Sequence, residues 1–315
     1  MRAVAGVDLG GTNITVGLVD DDFRVVDDTK VSTPRGPGPV VDAIVAGVRE
    51  LGADVVGVGV GAPGPVSDGV VLTAPNLPGW GGPVPLAQEL QEALGLPVEV
   101  ENDATAGTVG EWRAGAGRGS DHLLGVWLGT GVGGGLVLDG RPYRGASGGA
   151  GELGHVPIRL DGAQCGCGLR GCVEAYAGRA SMERTVRLAA EAGRPTTMLE
   201  IAAGAGRQRL TAKVWAKALD DDDPLAVAVF GEAVAAVGAG IASAVNLLDL
   251  DRVVLGGGLT ERFGKRLTGR ILGATRAHLL VADKPLQVVA AELGDHSGMV
   301  GAAALAREAL GSLPR

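Results

Sequence analysis

Residues 4–12 read VAGVDLGGT and lead into a second apolar run from Ile14 to Val19. A later segment, LGVWLGTGVGG at residues 124–134, has the same character and continues into the apolar residues Leu136 to Leu138. Each segment predicts a strand, a glycine-rich turn and a second strand. Because the two segments are about 120 residues apart, they indicate a duplicated lobe rather than a solenoid of short repeats.

The rest of the chain alternates between strand and helix patterns. Short valine-rich runs such as Val55 to Val60 are typical of strands, and amphipathic stretches such as Leu86 to Leu94 are typical of helices. This alternation predicts an α/β fold in which helices cover mixed sheets. We predict a small α/β lobe of residues 1–105, completed by a C-terminal helix within residues 299–315, and a large α/β lobe of residues 106–298.

The composition is that of a globular protein with an unusual amount of glycine. The chain has 315 residues, 55 of them glycine, and a formal net charge of −8. No basic patch stands out, so binding to nucleic acid is not expected. Signal-peptide features are missing at the N-terminus, and we interpret the apolar tract Leu225 to Leu248 as a buried helix rather than a membrane span. We therefore expect a cytoplasmic protein that binds neither nucleic acid nor membrane.

Three cysteines, Cys165, Cys167 and Cys172, are crowded into one short segment. This pattern suits a metal site in a reducing compartment better than a framework of disulfides.

Three glycine-rich turns follow apolar strands, at residues 10–12, 129–134 and 256–258. Glycine lets backbone N–H groups approach phosphate oxygens closely. One such turn alone is more typical of a tight hairpin, but three together favour a nucleotide-binding site. The chain lacks the G-x-x-x-x-G-K-[ST] motif of a P-loop. Gly129, Gly131 and Gly134 match the G-x-G-x-x-G motif of a Rossmann dinucleotide site. In that site the motif opens a helix, whereas here the chain continues as a strand, which argues against a Rossmann site.

Asp8 ends the strand that precedes the first turn. A carboxylate at this position either caps the turn or holds Mg²⁺ beside a bound phosphate, directly or through water. Thr12 and Thr130 can donate their hydroxyl groups to phosphate oxygens. We assign nucleotide binding to these three residues and to the glycines of the turns, namely Gly10, Gly11, Gly131, Gly133, Gly256, Gly257 and Gly258.

Six motifs occur in a characteristic order. They are DLGGTN at residues 8–13, ENDA at 101–104, GTGVGGG at 129–135, ELGH at 152–155, CGCGLRGCVE at 165–174 and GGG at 256–258. This order resembles the ROK family (repressors, open reading frames and sugar kinases), and among its members the bacterial glucokinases. The resemblance covers nearly the whole chain. It implies a two-lobed, actin-like ATPase fold of the ribonuclease H-like type, an active site in the cleft between the lobes, and a homodimer or higher homo-oligomer.

Two details of the sequence concern the comparison with the repressors and the kinases of this family. Some members are repressors with an added N-terminal helix-turn-helix domain; the residues before Asp8 leave no room for one, so we expect a kinase. Asn13, which we include among the nucleotide-binding residues, stands where many members carry Lys. This difference removes a positive charge near the nucleotide but leaves the turn intact.

One imidazole and three thiols suit tetrahedral Zn²⁺, and these are supplied by His155, Cys165, Cys167 and Cys172. Because all four ligands come from the protein, we predict a closed, structural zinc site. The alternative is a set of three free, buried thiols. The resemblance implies that His155 binds zinc through one ring nitrogen and directs the other at the sugar.

The resemblance also implies which residues contact the sugar. They are Asn102, Asp103, Glu152, His155 and Glu174, with Gly64 and Asn76 as candidates at the rim. Taken alone, Asn102 or Asp103 could simply cap the helix that follows, and the two glutamates could be solvated charges. We choose Asp103 as the general base that accepts the proton of the attacking hydroxyl, the 6-hydroxyl of a hexose.

The predicted function is phosphorylation of a hexose by ATP with Mg²⁺, with glucose as the favoured substrate. N-acetylmannosamine, N-acetylglucosamine or fructose could replace glucose. A second class of function is a non-catalytic sugar sensor. The combination of Asp103 with a complete set of glycine turns argues against a sensor, because a sensor need not keep both.

Overall fold

The first glycine segment lies at the centre of a five-stranded sheet. The structure, a computed structural model, describes residues 3–52, 54–74 and 76–311. The strands of this region are β1 (Ala3–Leu9), β2 (Asn13–Val19), β3 (Val25–Ser32), β4 (Val55–Ala62), β5 (Val66–Ser67), β6 (Val70–Val71) and β7 (Val98–Asn102). The sheet has the order β3-β2-β1-β4-β7, and β5 and β6 form a separate ribbon. β2 is antiparallel to β1 and β3, whereas β4 is parallel to β1 and β7.

A second five-stranded sheet repeats this arrangement around the second glycine segment. Its strands are β8 (Leu123–Leu128), β9 (Val132–Leu138), β10 (Arg141–Pro142), β11 (Arg252–Gly256) and β12 (Gln287–Ala290). They have the order β10-β9-β8-β11-β12, with β10 antiparallel to β9 and β12 parallel to β11. In each sheet three consecutive strands run outward from the centre and two later strands lie on the other side. The predicted duplication of an α/β lobe is therefore confirmed.

Helices connect and cover the strands. They are α1 (Pro37–Glu50), α2 (Leu86–Leu94), α3 (Asp103–Ala114), α4 (Val173–Ala177), α5 (Arg179–Glu191), α6 (Met198–Gly204), α7 (Ala212–Asp220), α8 (Pro224–Leu248), α9 (Gly258–Phe263), α10 (Lys265–Arg276) and α11 (Ser297–Ala309). Two 3₁₀ turns, Leu153–His155 and Gly294–His296, precede α4 and α11.

Two compact units emerge from the packing of these elements. The first consists of Met1–Gly125, Gly135–Gly151 and Ala291–Arg315, and the second of Val126–Gly134 and Glu152–Ala290. Residues 106–125 belong to the first unit, in which α3 packs against α11. The predicted division into a small lobe of residues 1–105 with the C-terminal helix and a large lobe of residues 106–298 stays a prediction.

Glycine permits the close packing of α3 against α11. A side chain at Gly110 would overlap the carbonyl oxygen of Ser297, and one at Gly301 would overlap that of Ala106. The two helix backbones are therefore in direct contact, and any larger residue at either position would force them apart. Part of the glycine excess in the sequence thus serves helix packing rather than turns.

The apolar tract that we interpreted as a core helix forms α8. Its most hydrophobic 18-residue window is 67% buried within the protein. Asp223 caps its N-terminus by accepting hydrogen bonds from the backbone N–H groups of Leu225 and Ala226, at 3.0 and 2.9 Å. The helix therefore serves as the core helix of the second unit.

Candidate functional site

The first glycine turn joins β1 to β2 and is fastened by a residue that sequence analysis missed. The N–H of Gly10 donates to the Asn13 carbonyl at 3.0 Å. Thr33, which follows β3, donates its hydroxyl to the Gly10 carbonyl at 2.6 Å and its N–H to the Thr12 carbonyl at 2.9 Å. These three bonds occupy the carbonyl groups of Gly10, Thr12 and Asn13 and therefore fix the conformation of the turn.

Asp8 lies at the carboxyl end of β1, in register with Gly61 of β4, which in turn is in register with Glu101 of β7. Burial raises the pKa of Asp8 to about 6, the carboxylate of Asp295 adds to the rise and the ammonium of Lys30 opposes it. Among the described residues none donates a hydrogen bond to the Asp8 carboxylate. A half-buried carboxylate without donors is suited to a hard cation, so Asp8 fits the predicted role as a Mg²⁺ ligand.

Asn76 and Gly64 are brought close to other predicted site residues of the first unit. A side chain at Gly11 would begin 2.7 Å from the Asn76 carbonyl oxygen, so Asn76 lies against the first turn. Gly64 has a φ of 89°, a conformation that favours glycine, and its carbonyl accepts a hydrogen bond from Asn102 Nδ2 at 3.1 Å. The candidate sugar residues Gly64 and Asn102 are therefore in direct contact.

Asn102 and Asp103 form the N-terminus of α3. Asn102 is the N-cap, and its Oδ1 accepts a hydrogen bond from the Thr105 N–H at 3.0 Å. Asp103 Oδ1 accepts from the Ala104 N–H at 2.7 Å and from Asn102 Nδ2 at 3.3 Å. The capping role that sequence analysis left open for Asn102 is real. It also holds the Asp103 carboxylate at the positive end of the helix dipole.

The second turn, between β8 and β9, lies in the second unit. The Gly129 N–H donates to the Gly131 carbonyl at 3.0 Å, which closes the turn. The Thr130 hydroxyl accepts from the guanidinium of Arg179 at 3.3 Å. Gly133 lies in β9. Arg179, at the start of α5, is a cation beside a predicted phosphate-binding turn that sequence analysis did not single out.

Packing explains why two of the three residues in the third glycine turn, Gly256 and Gly257, are glycine. A side chain at Gly256 would overlap the ring of Trp127, and Gly257, with a φ of 85°, lies against the Leu128 backbone. Gly258 begins α9, and apart from its neighbours in the chain and the backbone of its own helix no described atom lies within 4 Å of the point where a side chain would start. The nucleotide role of all three stays a prediction, and Gly258 is the one whose surroundings leave space for a ligand.

The predicted zinc ligands converge. One ligand atom from each of His155, Cys165, Cys167 and Cys172 lies within 4.8 Å of all the others. The Cys167 and Cys172 sulfurs are 3.9 Å apart, as are Cys165 Sγ and His155 Nδ1. Zinc–sulfur bonds of about 2.3 Å in a tetrahedron separate neighbouring sulfurs by roughly 3.8 Å, so the donor set fits the ion.

The electrostatics of this cluster also favour a cation. Burial raises the pKa of Cys165 to about 12, and the side chains of Cys167 and Cys172 add to the rise. Such a thiol stays protonated unless a positive charge compensates the thiolate. A divalent ion among the three sulfurs supplies that charge. Because Nδ1 is the ring nitrogen of His155 that faces Cys165, Nε2 is left for another partner.

The remaining sugar candidates, Glu152 and Glu174, lie next to zinc ligands in the sequence of the second unit. The 3₁₀ turn Leu153–His155 follows Glu152, whose carbonyl accepts the His155 N–H at 3.0 Å. Glu174 lies in the first turn of α4, two residues after Cys172, and its Oε2 accepts the Val132 N–H at 2.8 Å. The predicted sugar residues thus form two groups, with Gly64, Asn76, Asn102 and Asp103 in the first unit and Glu152, His155 and Glu174 in the second.

Comparisons with known proteins agree on one family. The profile of the ROK family matches residues 4–309. A glucokinase of Streptomyces coelicolor is 37% identical over 98% of both chains, and a glucokinase of Thermotoga maritima is 34% identical over 97% of this chain and 98% of its own. A crystal structure of a ROK family glucokinase from Streptomyces griseus, in complex with glucose and AMPPNP, superposes with a TM-score of 0.84 at 39% identity, covering 97% of this chain and 99% of that one.

Proposed function

The chain belongs to the ROK family, and from this premise we propose that it is an ATP-dependent sugar kinase that converts glucose to glucose 6-phosphate. The observation that carries the proposal is the environment of Asp103. Its carboxylate is held at the N-terminus of α3 by Ala104 and Asn102, in a chain that matches several glucokinases over nearly its full length.

In this mechanism Asp103 accepts the proton of the sugar hydroxyl that attacks the γ-phosphate. A carboxylate at a helix N-terminus is a weak base, but phosphoryl transfer through a loose transition state needs orientation more than early proton removal. Asn102, fixed by its bond to Gly64, would orient the sugar beside Asp103. The side chains of Glu152, His155 and Glu174 would form hydrogen bonds with further hydroxyl groups of the sugar ring.

The nucleotide would be held by the glycine turns. The backbone N–H groups of Gly11 and Thr12 and the hydroxyls of Thr12 and Thr130 would donate to phosphate oxygens, while the N–H of Gly10 stays bonded to the Asn13 carbonyl and holds the turn. Mg²⁺ bound with ATP supplies positive charge against the transferred phosphoryl group, and Asp8 would hold it directly or through water.

Zinc is proposed as a structural ion. His155, Cys165, Cys167 and Cys172 would hold it, and all four coordination positions would then be filled by the protein. Coordination through Nδ1 would fix the ring of His155 so that Nε2 faces the substrate. A reducing, cytoplasmic location is proposed because three cysteines crowded into one short segment suit a metal site better than a disulfide framework. A homodimer or higher homo-oligomer is proposed from the family resemblance.

The direct test is a coupled assay of purified protein with ATP and Mg²⁺ against glucose, fructose, N-acetylglucosamine and N-acetylmannosamine. We expect glucose to give the highest kcat/KM. A higher kcat/KM for an N-acetylated hexose would reassign the substrate within the kinase class. Sugar binding by calorimetry without turnover of any sugar would favour the sensor and reject the kinase.

A further inference from the structure

The buried carboxylate of Glu101 is not used by the mechanism described above. Glu101 lies near the end of β7, directly before Asn102, and is only 4% exposed. Its Oε1 accepts the N–H of Asn102 at 2.9 Å, and its Oε2 accepts from Nε of Arg144 at 2.5 Å. The Glu101 side chain thus connects Arg144 to the backbone of Asn102, which carries the proposed sugar-binding amide and precedes the proposed general base, Asp103.

Arg144 starts a glycine-rich loop that also belongs to the first unit. The loop is closed by the Ala150 N–H, which donates to the Arg144 carbonyl at 3.1 Å. Gly148, with a φ of 77°, lies against the carbonyl of Val66 in β5. The loop ends at Gly151, and the next residue in the chain is the sugar candidate Glu152.

A purely stabilising role is a poor account of this ion pair. Arg144 is partly exposed and Glu101 is almost fully buried, and the desolvation of such a pair commonly offsets its attraction. Glu99 also lies 4.0 Å from the Arg144 guanidinium, so two carboxylates converge on one cation. Desolvation raises the pKa of Glu99, and the positive charge of Arg144 opposes that rise. An apolar pair would fill the space at lower electrostatic cost, but it could neither accept the Asn102 N–H nor form a directional bond to Arg144.

We propose that Arg144 is a positioning residue for the sugar. Through the Glu101 carboxylate it fixes the backbone of Asn102 and hence the orientation of Asn102 and Asp103, and through its own main chain it fixes the loop that leads to Glu152. The inference rests on the proposed function, because it assumes that these residues contact the substrate.

The test compares Arg144→Ala and Arg144→Lys with Arg141→Ala, an exposed arginine on β10 of the same region. We expect Arg144→Ala to raise KM for glucose at least about tenfold, since a charge-assisted hydrogen bond to a buried carboxylate is lost, while KM for ATP and the zinc content stay unchanged. Arg144→Lys should recover part of the loss because it keeps the charge but not the fork of donors. Arg141→Ala should match the wild type.

A double-mutant cycle with Glu101→Gln separates positioning from general destabilisation. If Arg144 acts through Glu101, the effect of Arg144→Ala on kcat/KM for glucose is at least about threefold smaller in the Glu101→Gln background. Equal effects in both backgrounds, or a lowered Tm with wild-type KM for glucose, would overturn the inference. If the wild type phosphorylates no sugar, the proposed function fails. The same variants are then compared by calorimetric glucose binding, where unchanged affinity rejects the role of Arg144.

Discussion

The carboxylate of Glu174 accepts the backbone N–H of Val132 through Oε2 at 2.8 Å, while its Oε1 lies 3.8 Å from the sulfur of Cys165. Glu174 therefore connects the cysteine cluster to the turn that precedes β9. A side chain at Gly131 would overlap the same carboxylate, which explains glycine at that position independently of a nucleotide. The orientation of Glu174 is thus fixed before any sugar binds.

This arrangement separates two effects of changing Glu174. Glu174→Gln keeps an oxygen that can accept the Val132 N–H, so we expect Tm to stay near that of the wild type while kcat/KM for glucose falls by about 10-fold or more through loss of the charge. Glu174→Ala leaves a backbone donor without its partner and should also lower the free energy of unfolding by about 1–3 kcal/mol. Kinetics and denaturant unfolding measure the two effects. Wild-type kinetics of Glu174→Gln would remove Glu174 from the sugar site.

Asp103→Asn tests the general base. The amide oxygen can still accept the Ala104 N–H that Asp103 Oδ1 accepts at 2.7 Å, so the start of α3 should remain folded. We expect kcat to fall at least ~100-fold, the lower end for loss of a general base, with glucose affinity largely kept. Steady-state kinetics measures kcat, and calorimetry of the same sample measures the affinity for glucose. The matched control is Asp283→Asn, at an exposed position, and turnover of Asp103→Asn equal to that control would assign the proton transfer elsewhere.

Cys167→Ser tests the zinc site at its exposed member. Because Cys167 is exposed, its replacement disturbs little besides metal binding. We expect zinc to fall from about one ion per chain to less than half, and KM for glucose to rise because His155 loses its fixed orientation. Elemental analysis gives the stoichiometry. Leu169→Ser, at a 61% exposed position of the same loop, should keep the metal. A wild-type protein that binds less than about half a zinc ion per chain would contradict the site.

Asp223 should make stability depend on pH. Burial by itself raises its pKa, but hydrogen bonds from the N–H groups of Ala226 and Thr197 and from threonine hydroxyls outweigh this and lower the pKa overall. A carboxyl group with a lowered pKa in the folded state stabilises the fold above its unfolded pKa of about 3.9. That stabilisation is lost as the pH falls through the folded value. Replacement by Asn removes the ionised acceptor from this network.

We therefore expect Asp223→Asn to be less stable than the wild type by about 1–3 kcal/mol at pH 7. The difference should shrink steadily below about pH 4. Urea unfolding of both proteins across this range measures it, with Asp283→Asn as the control for an exposed carboxylate. A difference that is the same at pH 7 and pH 3 would show that the charge of Asp223 is irrelevant.

Features set by local pattern were predictable from the sequence. The helix over Leu86–Leu94 was predicted with the bounds that it has, because its apolar residues repeat at helical spacing. The cysteine cluster was predicted because its spacing leaves little freedom to the chain. The strand-turn-strand segments were recognisable from apolar runs that end in glycine.

Partners that are distant in the chain were not predictable. Glu111 would pass for a solvated helix charge, yet it is fully buried and accepts the N–H of Leu293 at 2.8 Å and the hydroxyl of Ser297 at 2.8 Å. The pairing of Glu101 with Arg144 has no local signal either. Such contacts depend on which elements meet after folding, and the periodicity of one segment carries no information about its partner.

The route of the chain through the first compact unit has a consequence for biosynthesis. α11 packs on β1 and β4, yet it comes from the last segment of the chain, after the whole of the second unit. During translation that face of the sheet emerges early and stays without its covering helix until residues 297–309 have been made. A nascent chain that stalls before residue 297 therefore displays an uncovered apolar surface, the kind of surface that chaperones bind and that leads incomplete chains to aggregate.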